Sequence, residues 1–433
     1  MGICHRRGAS NRWRKTHEWK EEGVRLNGNI LVVGAGLAGL SAAVEYLEAG
    51  GRGRVTILEA MKRPNELHPG SNAPGAGHCS GSGGLGQAML RQIGWHLSDD
   101  IIMADINNAT ISGPTESVTF DGASIGTPGE KIGIVTNKHK FGDWLLERAM
   151  KLGAEYLPGQ RVTSASRYAN RWNLTTQNAV YEADFLIGTD GPNSLVAQTC
   201  FNAPPYDPDD VFTASEVYLK TPSHPNDKIL IEFAPSIISG YFWRFGASRN
   251  GDGLTKVGCG FTTRRKQNPS QLTTWYREKS AQETGDVGYL DKPVRYIGGK
   301  ISGSMPLPVV CDPKRRVAVA GEAGRMVMAS IGAGDSMAVE SGRALGRSVA
   351  DGHPERYQKY YAANLRPYLR RHYRVKNALL SLNDANIDRG VRLLRNYKPK
   401  STNTRKEVTR MMRWLIMADP FFVGRFAVRA LLP

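Results

Sequence analysis

Three glycines and one carboxylate lie at a spacing that suits the binding of a dinucleotide. Gly34, Gly36 and Gly39 form G-x-G-x-x-G, and Glu59 follows 20 residues after the third glycine. The first glycine permits a tight turn, the second lets a pyrophosphate approach the backbone, and the third lets a helix pack closely on a strand. A carboxylate at the position of Glu59 accepts hydrogen bonds from a ribose, which favours an adenosine ribose without a 2′-phosphate.

The residues around these four predict a strand, a helix and a second strand. Residues 30–33 are apolar, as in a strand buried on both faces, and residues 55–58 form a similar run. Between them, apolar residues recur at helical spacing until Gly50 and Gly51 end the helix. The N-terminus of this helix would present N–H groups and a positive dipole end to phosphates. The alternative is a glycine-rich turn between two core elements.

A thiol in a long glycine-rich loop is a second group with possible chemistry. Cys79 lies in residues 64–86, and loops of this length in compact domains are often functional. Small side chains let such a backbone lie close to a flat ligand, which would place Cys79 at a reaction centre. The alternative is a small buried residue in a tight loop.

Two further glycine-containing turns follow apolar strands. Asp190 comes directly after the run 184–188, at a place where parallel strands often present ligand-binding residues. Gly332 to Asp335 precede a predicted helix that continues to about Ala350, and its N-terminus would be a second site for an anion. An ordinary Asp-Gly β-turn is the alternative at Asp190.

Residues 200–310 have the pattern of an antiparallel sheet, with β-branched and aromatic runs in place of helical spacing. Tyr241, Trp243 and Phe245 alternate along one of these runs and therefore share one face of a strand. Three aromatic side chains on one face would line an apolar substrate cavity, or they would belong to the core.

The positive charge is concentrated at the C-terminus. The chain of 433 residues carries a net charge of +17, and residues 343–433 contain 20 Lys/Arg against 6 Asp/Glu. The helical pattern at 404–433 predicts a helix that lies on an anionic membrane, or else an amphipathic helix docked on its own domain. We expect no nucleic acid as a partner.

The cysteines and the N-terminal residues indicate where in the cell the protein is expected. The five cysteines are scattered, odd in number and without C-x-x-C, which favours a reducing cytoplasm and predicts no metal site. Residues 1–27 are polar and basic without an apolar segment, so we expect a disordered tail and no secretory signal. No apolar run is long enough to span a bilayer. The expected location is cytoplasmic, with a peripheral position on the inner face of the cell membrane if the C-terminal helix binds lipid.

Three motifs in this order resemble those of flavoproteins of the p-hydroxybenzoate hydroxylase type. They are GAGLAGLSAA with Glu59, GTDGPNS at 188–194 and GEAG at 321–324, and the resemblance covers residues 28–350. It implies an α/β fold: a Rossmann-like FAD-binding domain with an inserted antiparallel β-sheet substrate domain. The domains expected on this basis are 28–199 with 311–350 for FAD, including a β insertion near 100–137, and 200–310 for substrate. The spacing of apolar and basic residues adds a basic helical C-terminal region at 351–433.

Within that class, the chain most resembles the geranylgeranyl reductase family. The Y-x-W-x-F motif at Tyr241 and the Cys79 loop carry this resemblance. It differs from the family in having Gly-Glu at 321–322 where Gly-Asp is usual, and Lys138 where an arginine is usual. The resemblance implies FAD contacts at the following positions: Ala38, Glu59, Cys79, Ser80, Lys138, Val162, Glu322, Gly334 and Asp335.

The family resemblance also implies an activity, the reduction of alkene bonds in prenyl chains with FAD as the cofactor. In that function Cys79 would supply a proton, and Tyr241, Trp243 and Phe245 would hold the isoprenoid. The substrate would be a prenyl lipid, and NADPH, ferredoxin or another donor would supply electrons. Two alternatives remain: a flavin-dependent monooxygenase or halogenase of the same fold, and an electron-transfer flavoprotein without alkene turnover.

Overall fold

The computed structural model describes residues 28–61, 84–86, 94–122, 131–248, 253–263, 266–400, 404–420 and 424. The predictions for Cys79, Ser80 and residues 1–27 lie outside these ranges, as does most of the segment after residue 420. Among the described residues, none of the helices combines the length and the apolar character that crossing a membrane requires.

A six-stranded sheet in the order β18-β19-β12-β1-β2-β8 forms the base of the fold. Its strands are β1 (Ile30–Val33), β2 (Val55–Glu59), β8 (Glu155–Pro158), β12 (Phe185–Gly188), β18 (Cys311–Asp312) and β19 (Val317–Val319). The central strand β1 pairs in parallel with β2 and β12 and is buried throughout, as its apolar run predicts. The chain therefore brings the turns after β1, β2 and β12 to the same edge of the sheet.

Helices pack on this sheet and on the second large sheet. The structure has α1 (Leu37–Glu48), α2 (Lys138–Lys151), α3 (Leu195–Phe201), α4 (Pro269–Thr284), α5 (Asp335–Ala350), α6 (Glu355–Tyr360), α7 (Arg366–Leu380), α8 (Asp384–Leu394) and α9 (Thr404–Ala418). Helix α1 ends just before Gly50 and α5 ends at Ala350, as the sequence predicts. The two helices pack backbone against backbone, because a Cβ on Gly342 would lie 2.2 Å from the Ala38 carbonyl oxygen.

A seven-stranded sheet in the order β17-β13-β16-β15-β14-β5-β6 forms the second layer. Its strands are β5 (Asn108–Ser112), β6 (Ser117–Asp121), β13 (Val211–Lys220), β14 (Lys228–Glu232), β15 (Gly240–Gly246), β16 (Leu254–Thr262) and β17 (Arg295–Ser302). The predicted antiparallel sheet is present, with one difference. Strands β5 and β6, which the sequence assigns to an insertion in the FAD-binding domain, extend this sheet through a parallel pair with β14.

Two small three-stranded sheets complete the β structure, in the orders β11-β10-β9 and β3-β7-β4. Their strands are β3 (Gly84–Gly86), β4 (Ile102–Ile106), β7 (Gly133–Thr136), β9 (Val162–Tyr168), β10 (Arg171–Thr176) and β11 (Val180–Ala183). Strand β7 leads directly into α2, so this sheet positions Lys138 at the first turn of that helix.

Helices α6 and α7 of the C-terminal region contribute to the main hydrophobic core. Between α6 and α7 the helical backbone forms a π-helical turn, Tyr361–Leu365, which ends two residues before Pro367 in the first turn of α7. Proline has no N–H to donate to the preceding turn, which explains where the π-helical turn falls. Tyr361 and Leu369 are fully buried in the same cluster as the strands of the six-stranded sheet. An ion pair between Lys376 and Asp210 attaches α7 to the segment that precedes β13.

Candidate functional site

One large cavity of about 910 Å³ lies between the two sheets. This volume is within the range of roughly 300–1,000 Å³ that ligand sites in proteins commonly have. Most described residues that the sequence predicts for FAD or substrate line it: Gly34, Gly36, Ala38, Glu59, Lys138, Val162, Asp190, Glu322, Gly334, Asp335, Tyr241, Trp243 and Phe245. Gly39 lies behind the wall, where a Cβ would come 2.2 Å from the Gly34 carbonyl oxygen.

The turn after β1 has the geometry that a dinucleotide requires. Gly34 adopts φ +96°, and α1 begins after Gly36, whose missing side chain leaves the helix start without a side-chain cap. Glu59 is buried at the end of β2, and its carboxylate accepts from Ala35 N at 2.8 Å and from Met61 N at 2.9 Å. A carboxylate has about four lone-pair positions, so Glu59 retains capacity to accept from ribose hydroxyls.

The turn after β12 is fixed against the turn after β1. The Thr189 hydroxyl donates to the Val33 carbonyl at 2.9 Å, which holds the two strand ends together. The Asp190 carboxylate accepts from the Ser194 hydroxyl at 2.5 Å and from Val196 N at 3.2 Å, so it stabilises the start of α3 from the cavity wall. Burial raises the pKa of Asp190.

Three charged residues that are remote in sequence line the cavity together: Lys138, Glu322 and Asp335. Lys138 at the start of α2 forms an ion pair with Asp335 at the start of α5, with a Nζ–Oδ1 distance of 2.8 Å. The Glu322 carboxylate accepts from Ser302 N at 2.8 Å. Burial raises the pKa of Glu322 to about 7, although the Ser302 N–H and the Lys138 charge act in the opposite direction. Lys138, which the resemblance assigns to FAD, thus has a protein carboxylate as a partner.

These residues fit FAD. Two helix starts, at Gly36 and Gly334, line the same cavity, and neither is capped by its own side chain. Helix N-termini of this kind bind phosphate through backbone N–H groups and the helix dipole. Glu59 supplies the carboxylate for a ribose, so the donor and acceptor set matches an adenine dinucleotide.

Tyr241, Trp243 and Phe245 form an aromatic stripe on the cavity face of β15. The ring centroids of Tyr241 and Trp243 are 5.7 Å apart, and those of Trp243 and Phe245 are 6.4 Å apart. Phe242, between them, points to the opposite face and stacks on Tyr276 at 4.5 Å in the core beneath α4. The cavity therefore combines a polar dinucleotide end with an apolar aromatic wall.

Hydrogen bonds fix the rings of this stripe. The Trp243 indole N–H donates to Glu216 Oε2 at 2.9 Å, and the Tyr241 hydroxyl donates to the Ile331 carbonyl. Burial raises the pKa of Tyr241, so its hydroxyl stays protonated and remains a donor. A Cβ on Gly258 would lie 2.5 Å from the Trp243 indole, so the ring rests directly on the backbone of β16.

Sequence reasoning missed several residues that line the cavity. Tyr368 and His372 on α7 face it from the C-terminal region, and their rings meet edge to face at 4.5 Å. His372 Nδ1 lies 2.6 Å from the Ser330 hydroxyl, and Glu216 lines the cavity beside Trp243. The spacing of four residues between Tyr368 and His372 was the available signal, since such residues share a helix face.

Glu322 gives a prediction about pH. Its pKa is about 7 in the folded chain, above the ordinary 4.5, so the folded state binds this proton more tightly than the unfolded chain does. Its contribution to the free energy of unfolding is therefore fully present below pH 4.5 and is lost as the pH rises to about 7. We expect a loss of about 3 kcal/mol across this pH range.

Urea unfolding of FAD-free protein at pH 5 and pH 8 measures this effect against Glu322→Gln. The amide still accepts from Ser302 N but has no proton to lose, so the variant should show a smaller decrease in stability. Equal pH dependence in the two proteins would contradict the assignment.

The comparisons with known proteins agree with the flavoprotein fold and with FAD as the cofactor. Residues 29–66 match the family model described as FAD binding domain. The probable electron transfer flavoprotein-quinone oxidoreductase YdiS of Escherichia coli is 30% identical over 135 residues, which are 31% of this chain and 30% of that protein. The match thus spans about a third of the length of the first curated relatives.

Solved structures share the fold over nearly the whole chain. A geranylgeranyl bacteriochlorophyll reductase-like protein from Thermoplasma acidophilum has a TM-score of 0.76 at 19% identity, covering 93% of this chain and 98% of that one. Klebsiella pneumoniae HpxO, crystallised with FAD and uric acid, has a TM-score of 0.61 at 14% identity, covering 92% and 99%. The predicted flavoprotein fold and the predicted cofactor, FAD, are confirmed.

Proposed function

We propose that this protein is an FAD-dependent oxidoreductase that reduces alkene bonds of prenyl chains. The observation that carries the proposal is the position of Tyr241, Trp243 and Phe245, which line the same cavity as Gly34 and Glu59. An apolar chain lying along this stripe would be next to the dinucleotide site. Reduction needs this proximity, because the reacting atoms must be held close together and in the right orientation.

Each part of the cavity has a role in this function. Once bound and reduced by the electron donor, FAD would supply the hydride for the alkene. The turn at Gly34 and the helix start at Gly36 would hold the pyrophosphate, and Glu59 would accept from the adenosine ribose. The aromatic stripe binds and orients the prenyl chain and excludes water, while Glu216 fixes the Trp243 ring. Cys79 remains the predicted proton donor.

An anaerobic assay tests the proposal. Protein reduced with dithionite is mixed with geranylgeraniol or geranylgeranyl diphosphate, and the products are analysed by mass spectrometry. We expect saturated products without oxygen. Product formation only when oxygen is added would contradict alkene reduction and would favour the monooxygenase or halogenase.

A second candidate is electron transfer to a quinone, because the E. coli relative is named a probable electron transfer flavoprotein-quinone oxidoreductase. The apolar wall of the cavity would then hold a quinone in place of a prenyl alkene. Reoxidation of the reduced protein by a prenylated quinone, with no saturated product from either geranylgeranyl compound, would support this alternative.

We propose that helix α9 binds an anionic membrane through an exposed basic side chain and through its C-terminal end. The apolar residues Met411, Trp414 and Leu415 of α9 pack on the protein's own core cluster around Tyr397 and are partly buried there. Exposed positions on α9 include Arg413, and at its end Ile416 and Met417 are 46% and 74% exposed. This arrangement suits contact with anionic lipid.

Co-sedimentation with phosphatidylglycerol vesicles tests this contact. The double substitution Arg413→Glu with Met417→Ser should release the protein, whereas Lys151→Glu, on the distant helix α2, should not. Equal binding by both variants would refute a membrane contact at α9. With this contact we propose a peripheral position on the inner face of the cell membrane.

A further inference from the structure

A second cavity of about 400 Å³ adjoins the large one. Pro192, Asn193, Lys300 and Ile301 line both, so a ligand in one reaches the wall of the other. The walls of this side cavity come from the turn after β12, the segment 203–206, the edge strand β17 and the residues after Gly321. None of the residues that the sequence individually assigns to FAD or substrate lines this cavity. Only the motif at 188–194 reaches it, through Pro192, Asn193 and Ser194.

The side cavity is lined by hydrogen-bond donors. Its polar side chains are those of Asn193, Ser194, Gln198, Tyr206, Lys300, Ser302 and Arg325. Among the described residues that line it there is no aspartate or glutamate, so its wall carries two positive charges. The buried Glu322 carboxylate lies behind this wall, where it accepts from Ser302 N. A concave surface with this composition attracts anions.

Arg325 is held in place rather than free to move in solvent. It is 8% exposed, its guanidinium lies 4.4 Å from the centroid of the Tyr206 ring, and it donates to the Pro204 carbonyl. A guanidinium stacked in this way keeps a fixed orientation and has five N–H donors, more than one carbonyl uses. Burial raises the pKa of Tyr206, so the phenol remains a neutral donor beside it.

Lys300 supplies the second positive charge of the side cavity. It lies on β17, the edge strand of the seven-stranded sheet, and is exposed. A flexible ammonium at the mouth and a fixed guanidinium inside form a pair of cations suited to a group with several anionic oxygens.

We propose that the side cavity binds a phosphate-bearing group, most simply a diphosphate. Its position beside the large cavity allows two sources: the diphosphate head of a prenyl substrate, or the phosphates of a nicotinamide electron donor. The choice between these sources rests on the proposed function, whereas binding of the diphosphate itself does not.

Titration of the FAD-loaded full-length protein with inorganic pyrophosphate, followed by calorimetry, tests the site. Loading with FAD occupies the dinucleotide turn, so binding there does not contribute. Lys300→Glu should weaken pyrophosphate binding at least tenfold, while Lys292→Glu, an exposed lysine on the approach to the same strand, should change it less than twofold. Equal effects in the two variants, or no binding by the unaltered protein, would overturn the proposal.

A second pair of variants tests the side cavity without a substitution on or near the edge strand β17. Gln198→Glu introduces a carboxylate at the wall of the side cavity, and Gln282→Glu introduces one at an exposed position on α4. Only the first should weaken pyrophosphate binding. A comparable loss in both would mean that net charge, and not this site, governs binding.

Competition identifies the source of the phosphate. Displacement of pyrophosphate by geranylgeranyl diphosphate but not by geranylgeraniol assigns the site to the substrate head, and displacement by NADPH assigns it to the electron donor. If neither displaces pyrophosphate, the bound anion is adventitious and the proposal fails. These titrations need no turnover, so their failure is distinct from failure of alkene reduction.

Discussion

Replacing Gly34 with alanine is expected to abolish FAD binding. Gly34 has φ +96°, and a Cβ there would lie 2.5 Å from the carbonyl oxygen and 2.9 Å from the carbonyl carbon of Thr189. The left-handed conformation alone costs an L-residue roughly 1–2 kcal/mol. The collision is with backbone, so relief requires the turns after β1 and β12 to separate, and these two turns form the wall of the dinucleotide site. We expect FAD affinity to fall at least a hundredfold, measured by titrating FAD into the FAD-free protein and following flavin fluorescence.

Gly153→Ala is the matched control for this experiment. Gly153 has φ +100°, nearly the same conformation, but a Cβ there would meet nothing within 4 Å. This variant should lose about 1 kcal/mol of stability and keep its affinity for FAD. If Gly34→Ala retained FAD as Gly153→Ala does, the turn after β1 would not be the dinucleotide site.

Replacing Trp243 with alanine is expected to reduce kcat/KM for prenyl substrates while FAD binding is kept. The indole lines the cavity on the aromatic stripe, and its loss removes apolar contact with the prenyl chain. Contact of this kind is worth about 1.5–3 kcal/mol for a large side chain, which corresponds to roughly 10- to 100-fold in kcat/KM. The anaerobic assay with geranylgeranyl diphosphate measures the change.

Phe242→Leu is the control on the other face of the same strand. Phe242 stacks on Tyr276 beneath α4, so this variant should lower the free energy of unfolding by about 1–2 kcal/mol and leave kcat/KM unchanged. The reverse result, with Trp243→Ala as active as the unaltered protein, would assign the stripe to the core. Trp243→Phe separates the effect of the ring from that of its hydrogen bond to Glu216.

Much of the dinucleotide site could be predicted from the sequence because it is local. The strand, turn, helix and second strand lie within residues 30–59, and the apolar period and the glycines determine their conformation. The antiparallel sheet was also predictable in outline from its β-branched runs. Its two added strands, β5 and β6, were not, because pairing with β14 joins segments more than a hundred residues apart.

The sequence by itself determined the turn at Gly34, the position of Glu59 at the end of a buried strand, and the sharing of one face by Tyr241, Trp243 and Phe245. These properties follow from backbone conformation over a few residues, chiefly the freedom of glycine and the alternation of side chains in a strand.

Only the tertiary structure decided which face of β15 lines the cavity and that Tyr368 of α7 lines it as well. It also decided that Lys138 pairs with Asp335. It alone brought Lys300 and Arg325 to one side cavity. Contacts of this kind depend on how whole sheets and helices pack, and local propensity carries no information about which distant segments will meet.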